Sequence, residues 1–438
     1  MPLVAYAVLL FAVLGLTPLW LDELLQLRAT RGRNLLQMMQ SVFTNAGAVP
    51  LPYLAQKAAL DLFGFSTFIA RLPAALFGIL SGAVFAVLCR QLELPMPRVA
   101  LLLFLFLPLQ FRYGVEARGY SQGLFFCVLS LSLLLRLRSC PTTRNAFLYW
   151  LSLVLGLYSQ PLTFLIAAAQ GAWAWFSQTG TRLKLMAVSA IAAAGLSFVP
   201  WLLIERHVQK QLGTMDSFWF SADQISRGVI LRELAGDGYL CSIPLLILAA
   251  VACWSGSLPP SSKWLLLTTA AAGLLGPILT DALFNYFFAS RQFLFAMPPL
   301  VLLASVGTCD LWRKGRRVAA AALVIALAVG AAAKDYKQAT QPIEDWRAAA
   351  DAIALRLQPD GCFLAVPAGD SDFYTFFRTD LGSRTCNPES YPAQVITATS
   401  PYARTTGQQH MLDSLLPRYA KTDESAVSRF RIAVYRLR

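Results

Sequence analysis

Charged residues are scarce in this 438-residue chain: 14% are Asp, Glu, Lys or Arg, against 56% apolar residues. Soluble domains carry about 25% charged residues, so the polar surface here is too small to clothe a water-soluble globule of this length. Histidine is scarcer still. With only His207 and His410, a histidine-rich metal centre is excluded, and any divalent ion would need carboxylates and water as ligands. No internal repeat of the kind that marks many transporters is visible. The net charge of +13 is not gathered into one basic stripe with interleaved aromatics, which excludes a nucleic-acid site. No small-residue cleavage site follows the first apolar run, so that run is expected to stay as a helix rather than leave as a signal peptide.

Long apolar runs are what the chain has in abundance. Windows of about 17 to 20 such residues, enough to cross a hydrocarbon core of roughly 30 Å as helix, recur almost to Ala333. The expected spans lie near 3–20, 68–88, 98–111, 119–136, 146–159, 161–177, 185–204, 239–254, 264–282, 291–309 and 317–333. The chain therefore reads as a polytopic α-helical membrane protein of about eleven transmembrane helices over residues 1–333, with a small soluble α/β domain at 334–438. Lys and Arg are retained on the cytoplasmic side of short loops. Arg90 and Arg98, then Arg136, Arg138 and Arg144, Arg182 and Lys184, Lys263, and Arg313 to Arg317 mark alternate loops as cytoplasmic. The intervening loops and the C-terminal domain are accordingly expected on the outer, extracytoplasmic side.

Residues at about 22–67 read as interfacial helices, because apolar Leu24, Leu27, Leu35, Met38 and Val42 alternate with Arg28, Arg31 and Arg33; Gly32 is expected to break them. The loop Glu205 to Gly238, with Phe218, Trp219 and Phe220, reads as a mobile lid or a plain connection. In the tail, Trp346, Ala350, Ile353 and Leu357 share one helical face, Pro359-Asp360-Gly361 makes a turn, and Cys362 to Val366 reads as a buried strand. Phe430, Ile432 and Val434 alternate as in a closing strand. Cys362 and Cys386 share the tail and either pair or stay as two buried thiols.

Asp22 and Glu23 follow the first span directly. A partly desolvated carboxylate there holds protons more tightly, which suits it to general-base work on a hydroxyl or amine, although two solvated charges at a helix end would look the same. Glu116 and Arg118 form a second charged cluster between two spans, readable also as a structural pair. Arg71 and Arg291 open later spans on the same expected outer side. Carboxylates together with several arginines at one depth suggest a phosphate-bearing lipid substrate, since guanidinium forks suit phosphate oxygens.

In order along the chain stand Asp22-Glu23, Pro50-Leu51-Pro52-Tyr53-Leu54, Leu62-Phe63-Gly64, Arg71 through Gly78, Tyr113 through Tyr120, and Ser290-Arg291-Gln292-Phe293-Leu294 leading to Pro298-Pro299. This succession resembles the membrane-embedded GT-C glycosyltransferases, in the branch of protein O-mannosyltransferases and lipid A aminoarabinose transferases. The resemblance implies inverting transfer of a sugar from a polyprenyl-phosphate-linked donor to an envelope lipid, glycan or protein, at the outer face of a bacterial inner membrane. It gives Asp22 the part of general base with Glu23 beside it, and Glu116 that of orienting the acceptor or an ion. Arg118 and Arg291 would hold the lipid phosphate, with Arg71, Tyr53 and Lys57 as further donor contacts. No cofactor is implied with certainty beyond a possible divalent metal ion. Many relatives carry a basic residue or histidine before the Pro-x-x-Tyr block, where Ala48 and Val49 stand here; Lys57 is either its substitute or a snorkelling interfacial lysine. A flippase for a lipid-linked saccharide, or an envelope polysaccharide polymerase or ligase, are the alternative readings.

Overall fold

The structure, a computed structural model, describes residues 1–45, 47–177, 180–212, 229–236, 238–284, 289–386, 392–401 and 416–438. Phe218, Trp219 and Phe220, on which the lid reading turned, lie outside the described residues. The chain divides into two compact units, one of Met1–Gly15 with Gln26–Ala339 and the other of Leu16–Leu25 with Thr340–Arg438. The sequence boundary drawn after residue 333 took no account of Leu16–Leu25.

The first unit is helical. Among the described residues six helices are long and apolar enough to cross a membrane: Thr67–Gln91, Tyr120–Ser139, Thr181–Val208, Pro260–Leu283, Ser290–Arg313 and Arg317–Thr340. Pro2–Val13 and Tyr239–Cys253 are shorter apolar helices. The run expected as a span at 3–20 is helical only over the 12 residues Pro2–Val13, about 18 Å of helix at 1.5 Å per residue. The run at 98–111 splits into Pro97–Leu105 and Pro108–Gly114. Proline explains the break: Pro108 has no N–H to give, and it drives Leu107 to an extended conformation with φ −68° and ψ 137°.

Burial separates the helices by position. Residues Met297 to Leu311 are all buried, so this helix runs through the centre of the unit. At Gly307 an added Cβ would collide with the Leu248 carbonyl, which means that the helices Met297–Arg313 and Tyr239–Cys253 touch backbone to backbone, the close approach that small residues permit between membrane helices. In contrast Val318 and Ile325, on Arg317–Thr340, are 85% and 60% exposed. Such apolar exposure suits a helix whose outer face meets lipid. The segment after the first helix turns at Gly32, whose φ of +67° lies in the left-handed region that glycine adopts without strain. Leu21–Thr30 and Leu35–Phe43 flank that turn, the second opened by a capping box between Asn34 and Gln37.

The second unit is built on a four-stranded sheet. Its strands are β1 (Cys362–Val366), β2 (Gln394–Thr399), β3 (Tyr419–Val427) and β4 (Phe430–Leu437), in the spatial order β1-β2-β4-β3. β1 pairs parallel with β2, while β4 runs antiparallel to both β2 and β3. The helix Trp346–Arg356 brings the fully buried Trp346 edge-on against Phe430, Tyr374 and Phe373, with centroids 4.7, 5.1 and 5.2 Å away. Aromatic edges of this kind are favoured over flat stacking. Cys362 and Cys386 form a disulfide, which ties the start of β1 to the chain 24 residues on.

Candidate functional site

The first turn of the helix Leu21–Thr30, which falls in the second unit, carries Asp22 and Glu23, where negative charge complements the exposed N–H groups. An oxygen of Glu23 accepts a hydrogen bond from the Trp20 N–H at 3.2 Å. This is half of a capping box, so one part of the Glu23 carboxylate is given to holding the turn. Glu23 is fully buried and Asp22 is half-buried.

Glu344 brings a third carboxylate to this place. Fully buried, its Oε2 accepts from the Leu21 N–H at 3.1 Å and from the Trp346 indole N–H at 2.8 Å. Burial pushes its pKa from 4.5 up to about 7; the two hydrogen bonds and Arg429 pull it down, and the charge of Asp22 pushes it up. The backbone immediately before Asp22 is therefore held by a residue more than 300 positions away in sequence.

In the first unit, the short helix Pro108–Gly114 and the turn after it gather the second group. Arg112 pairs with Glu116, Nε to Oε2 at 3.3 Å, with the Glu116 side chain 4% exposed. The guanidinium of Arg112 lies 5.6 Å from the Tyr113 ring centre, and that of Arg291 lies 5.6 Å from the Tyr120 ring centre. The two tyrosine rings are 4.7 Å apart. Arg112, Glu116, Arg291 and Tyr120 are all close enough to perturb the Tyr113 hydroxyl. Two cations and a carboxylate thus converge around a tilted pair of aromatic rings, an arrangement that can hold an anion and one polar neighbour.

Arg118 lines a cleft together with Gln26, Gln56 and Gln122. Its backbone is fixed by a 2.7 Å bond from its N–H to the Glu116 carbonyl and by Gly119, where any side chain would strike the Pro52 ring. Arg71 is buried and donates to the Leu14 carbonyl at 3.0 Å. The Tyr53 hydroxyl accepts from the Asn45 amide at 3.2 Å. Lys57 donates to the Arg33 carbonyl at 2.6 Å and pairs with Asp61 at 2.9 Å. Among the described residues no three His, Cys, Asp or Glu side chains come together as a metal-binding group.

No family model and no curated protein matches the chain, but solved structures do. ArnT from Cupriavidus metallidurans in the apo state has a TM-score of 0.61 at 14% identity, over 99% of this chain and 97% of that one. ArnT bound to undecaprenyl phosphate has a TM-score of 0.56 at the same identity and coverage. The oligosaccharyltransferase AglB from Archaeoglobus fulgidus, in complex with an inhibitory peptide and a dolichol-phosphate, has a TM-score of 0.51 at 12% identity, over 99% of this chain and 74% of that one. Both are GT-C proteins. The chain has the GT-C fold.

The GT-C fold bears out the resemblance drawn from the ordered sequence blocks, and with its apolar helices it makes the chain an integral membrane protein with a small C-terminal sheet. Within that fold, sequence reasoning passed over Arg112, Glu344 and the three glutamines of the cleft. Arg112 had a readable signal, because it precedes Glu116 by four residues, the spacing of neighbours on a helix face. Glu344 had only a weak one, an acid set between Ile343 and Trp346.

Proposed function

We propose that the chain is an inverting glycosyltransferase that moves a sugar from a polyprenyl-phosphate-linked donor to a lipid, glycan or protein acceptor at the outer face of a bacterial inner membrane. The observation that carries this reading is the GT-C fold, shared over 99% of the chain with ArnT bound to undecaprenyl phosphate. In it Asp22 takes the proton from the acceptor hydroxyl or amine as that group attacks the anomeric carbon. The bond from that carbon to the phosphate oxygen breaks on the opposite face, which inverts the centre. The lipid phosphate leaves as an anion, and Arg118 and Arg291 stabilise the charge it gains. Glu116, held by Arg112, orients the acceptor. Tyr53, Lys57 and Arg71 enter as secondary donor contacts, because Lys57 and Arg71 each already hold a backbone carbonyl.

The outward placement of the C-terminal unit follows from the basic residues of the alternate loops, and the Cys362–Cys386 disulfide supports it, since such bonds persist in oxidising compartments. The test is Asp22→Asn. Transfer from purified donor is expected to disappear while the protein remains folded and inserted; full activity in that variant would overturn the assignment of the base. Mass spectrometry of envelope lipids and glycans from cells with and without the protein identifies the acceptor as the species that loses a sugar.

A further inference from the structure

The far end of the helix Met297–Arg313 carries a basic cluster that the proposed reaction does not use. Seventeen residues of helix, about 25 Å at 1.5 Å each, separate it from Arg291. Gly315, at φ +77°, turns the chain there. The Arg316 N–H bonds to the Leu311 carbonyl at 2.9 Å and the Gly315 N–H to the Trp312 carbonyl at 3.3 Å. This is a Schellman motif, and it fixes the backbone that carries Arg313, Lys314, Arg316 and Arg317.

Asp310 is the only acid between Thr308 and Val318, and it is buried and engaged. Its Oδ2 pairs with Lys314 at 2.7 Å, and its Oδ1 accepts from the Ser255 hydroxyl at 3.3 Å. Arg313 donates to the Ser257 hydroxyl at 3.4 Å, and Lys263 donates to the Cys253 carbonyl at 3.2 Å. These bonds tie the ends of the helices Tyr239–Cys253 and Pro260–Phe284 to the turn. Among the described residues no carboxylate pairs with Arg313, Arg316 or Arg317.

Aromatic and apolar surface continues from these cations. Trp254 and Trp264 are 80% and 63% exposed, and the exposed Trp312 ring centre lies 5.8 Å from the Arg317 guanidinium. Exposed indoles collect at membrane–water interfaces. Val318 follows Arg317 directly; it and Ile325 and Val329 are exposed, at spacings of seven and four that keep them on one helical face. Topology alone asks for cations in such a loop. It asks neither for a rigid turn nor for an apolar track leading away from it. A ligand that meets all of these features carries a phosphate for the guanidinium groups and hydrocarbon for the track. A free phosphate, an acidic peptide or a nucleic acid would leave the track unmet.

We propose that the turn from Arg313 to Arg317 is a binding site for an anionic phospholipid of the leaflet that the basic loops face. Its phosphate meets Arg316 and Arg317, Trp312 packs against its glycerol, and one acyl chain follows Val318, Ile325 and Val329. The site stands whether or not the chain transfers a sugar.

The experiment places full-length protein in nanodiscs of equimolar dioleoyl phosphatidylglycerol and dioleoyl phosphatidylethanolamine, and counts the lipids retained in native mass spectrometry. Phosphatidylglycerol is expected to be retained about fivefold or more over phosphatidylethanolamine. Arg316→Gln/Arg317→Gln should lower that ratio to less than about twofold. Arg90→Gln/Arg98→Gln, the same loss of charge at another basic loop, should leave it unchanged. Phosphatidylglycerol bearing a diazirine on its acyl chain gives a reading on the unaltered protein, which stays decisive if a variant fails to fold: the label should concentrate in residues 312–329. Equal retention of the two lipids, equal loss in both variants, or label spread over all the exposed apolar helices overturns the site. So does full displacement of the lipid by soluble glycerol phosphate, which would make the ligand a free phosphate ester.

Discussion

Raising the pH through the range from 4.5 to about 7 should weaken the C-terminal unit, and Glu344 should account for the larger share. In the folded protein burial holds its proton up to about pH 7, whereas in the unfolded chain it is lost near 4.5. Between those values the folded state binds more protons, so stability is fully present below pH 4.5 and falls as the pH rises through about 7. The displacement corresponds to roughly 3 kcal/mol, or more than a hundredfold in the folding equilibrium. Asp370, raised by burial from 3.8 to about 6, contributes in the same sense but at lower pH, so the wild-type profile alone does not isolate Glu344. Glu344→Gln does, because it keeps an acceptor oxygen for the Leu21 and Trp346 donors and removes only the titration. Unfolding midpoints of both proteins in detergent, from pH 4.5 to 7.5, should diverge, with the glutamine variant gaining on the wild type as pH rises. Parallel profiles, or divergence in the opposite sense, would refute the reasoning.

Three further outcomes are expected. Glu116→Ala removes the Arg112–Glu116 ion pair; because Arg112 is about one-third exposed, the cost should be about 1–3 kcal/mol, read as a lowered unfolding midpoint. Gly307→Ala drives a methyl group into the Leu248 carbonyl and should lower stability by about 1–3 kcal/mol or abolish folded yield in detergent, whereas Gly195→Ala, at ordinary helical backbone with open space around it, should change the yield far less. Reducing the Cys362–Cys386 bond, which closes a loop across 24 positions, should destabilise the C-terminal unit by about 3 kcal/mol, measured as a drop in unfolding midpoint with reductant that a Cys362→Ser/Cys386→Ser double variant does not show.

The parts of the molecule readable from sequence are those set by local pattern. The strand β1 coincides with the run Cys362–Val366 because five apolar residues follow a turn and all five are buried. The turn at Gly32 was readable because the apolar and basic periodicity stops there. Pro108 carried the break in the expected span at 98–111, but the apolar count across Leu107 outweighed it in a window average. What stayed hidden depends on partners far off in sequence. Nothing in Ile343-Glu344-Asp345 names the Leu21 N–H as its donor. Gln26 and Gln122 look like ordinary polar interruptions of apolar helices until the fold buries them at one cleft, and Lys57 looks like a free cation until the Arg33 carbonyl is placed beside it.

The sequence put about eleven transmembrane helices in residues 1–333 and a separate small α/β domain in residues 334–438. The contacts divide the chain differently. Leu16–Leu25 is grouped with Thr340–Arg438, and the bond from the Leu21 N–H to Glu344 is a physical reason for it. A peptide N–H buried without an acceptor costs about 1–3 kcal/mol, so the turn that carries Asp22 depends on a carboxylate supplied by the tail. That carboxylate is in turn held by Trp346, whose ring sits in the aromatic core with Phe373, Tyr374 and Phe430. The order of dependence thus runs from sheet and aromatic core to Trp346, to Glu344, to the backbone of Leu21 and the acid beside it. On the proposed mechanism the general base is therefore held by the fold of the tail, and the tail's sheet is a structural precondition for catalysis whether or not it also touches the acceptor.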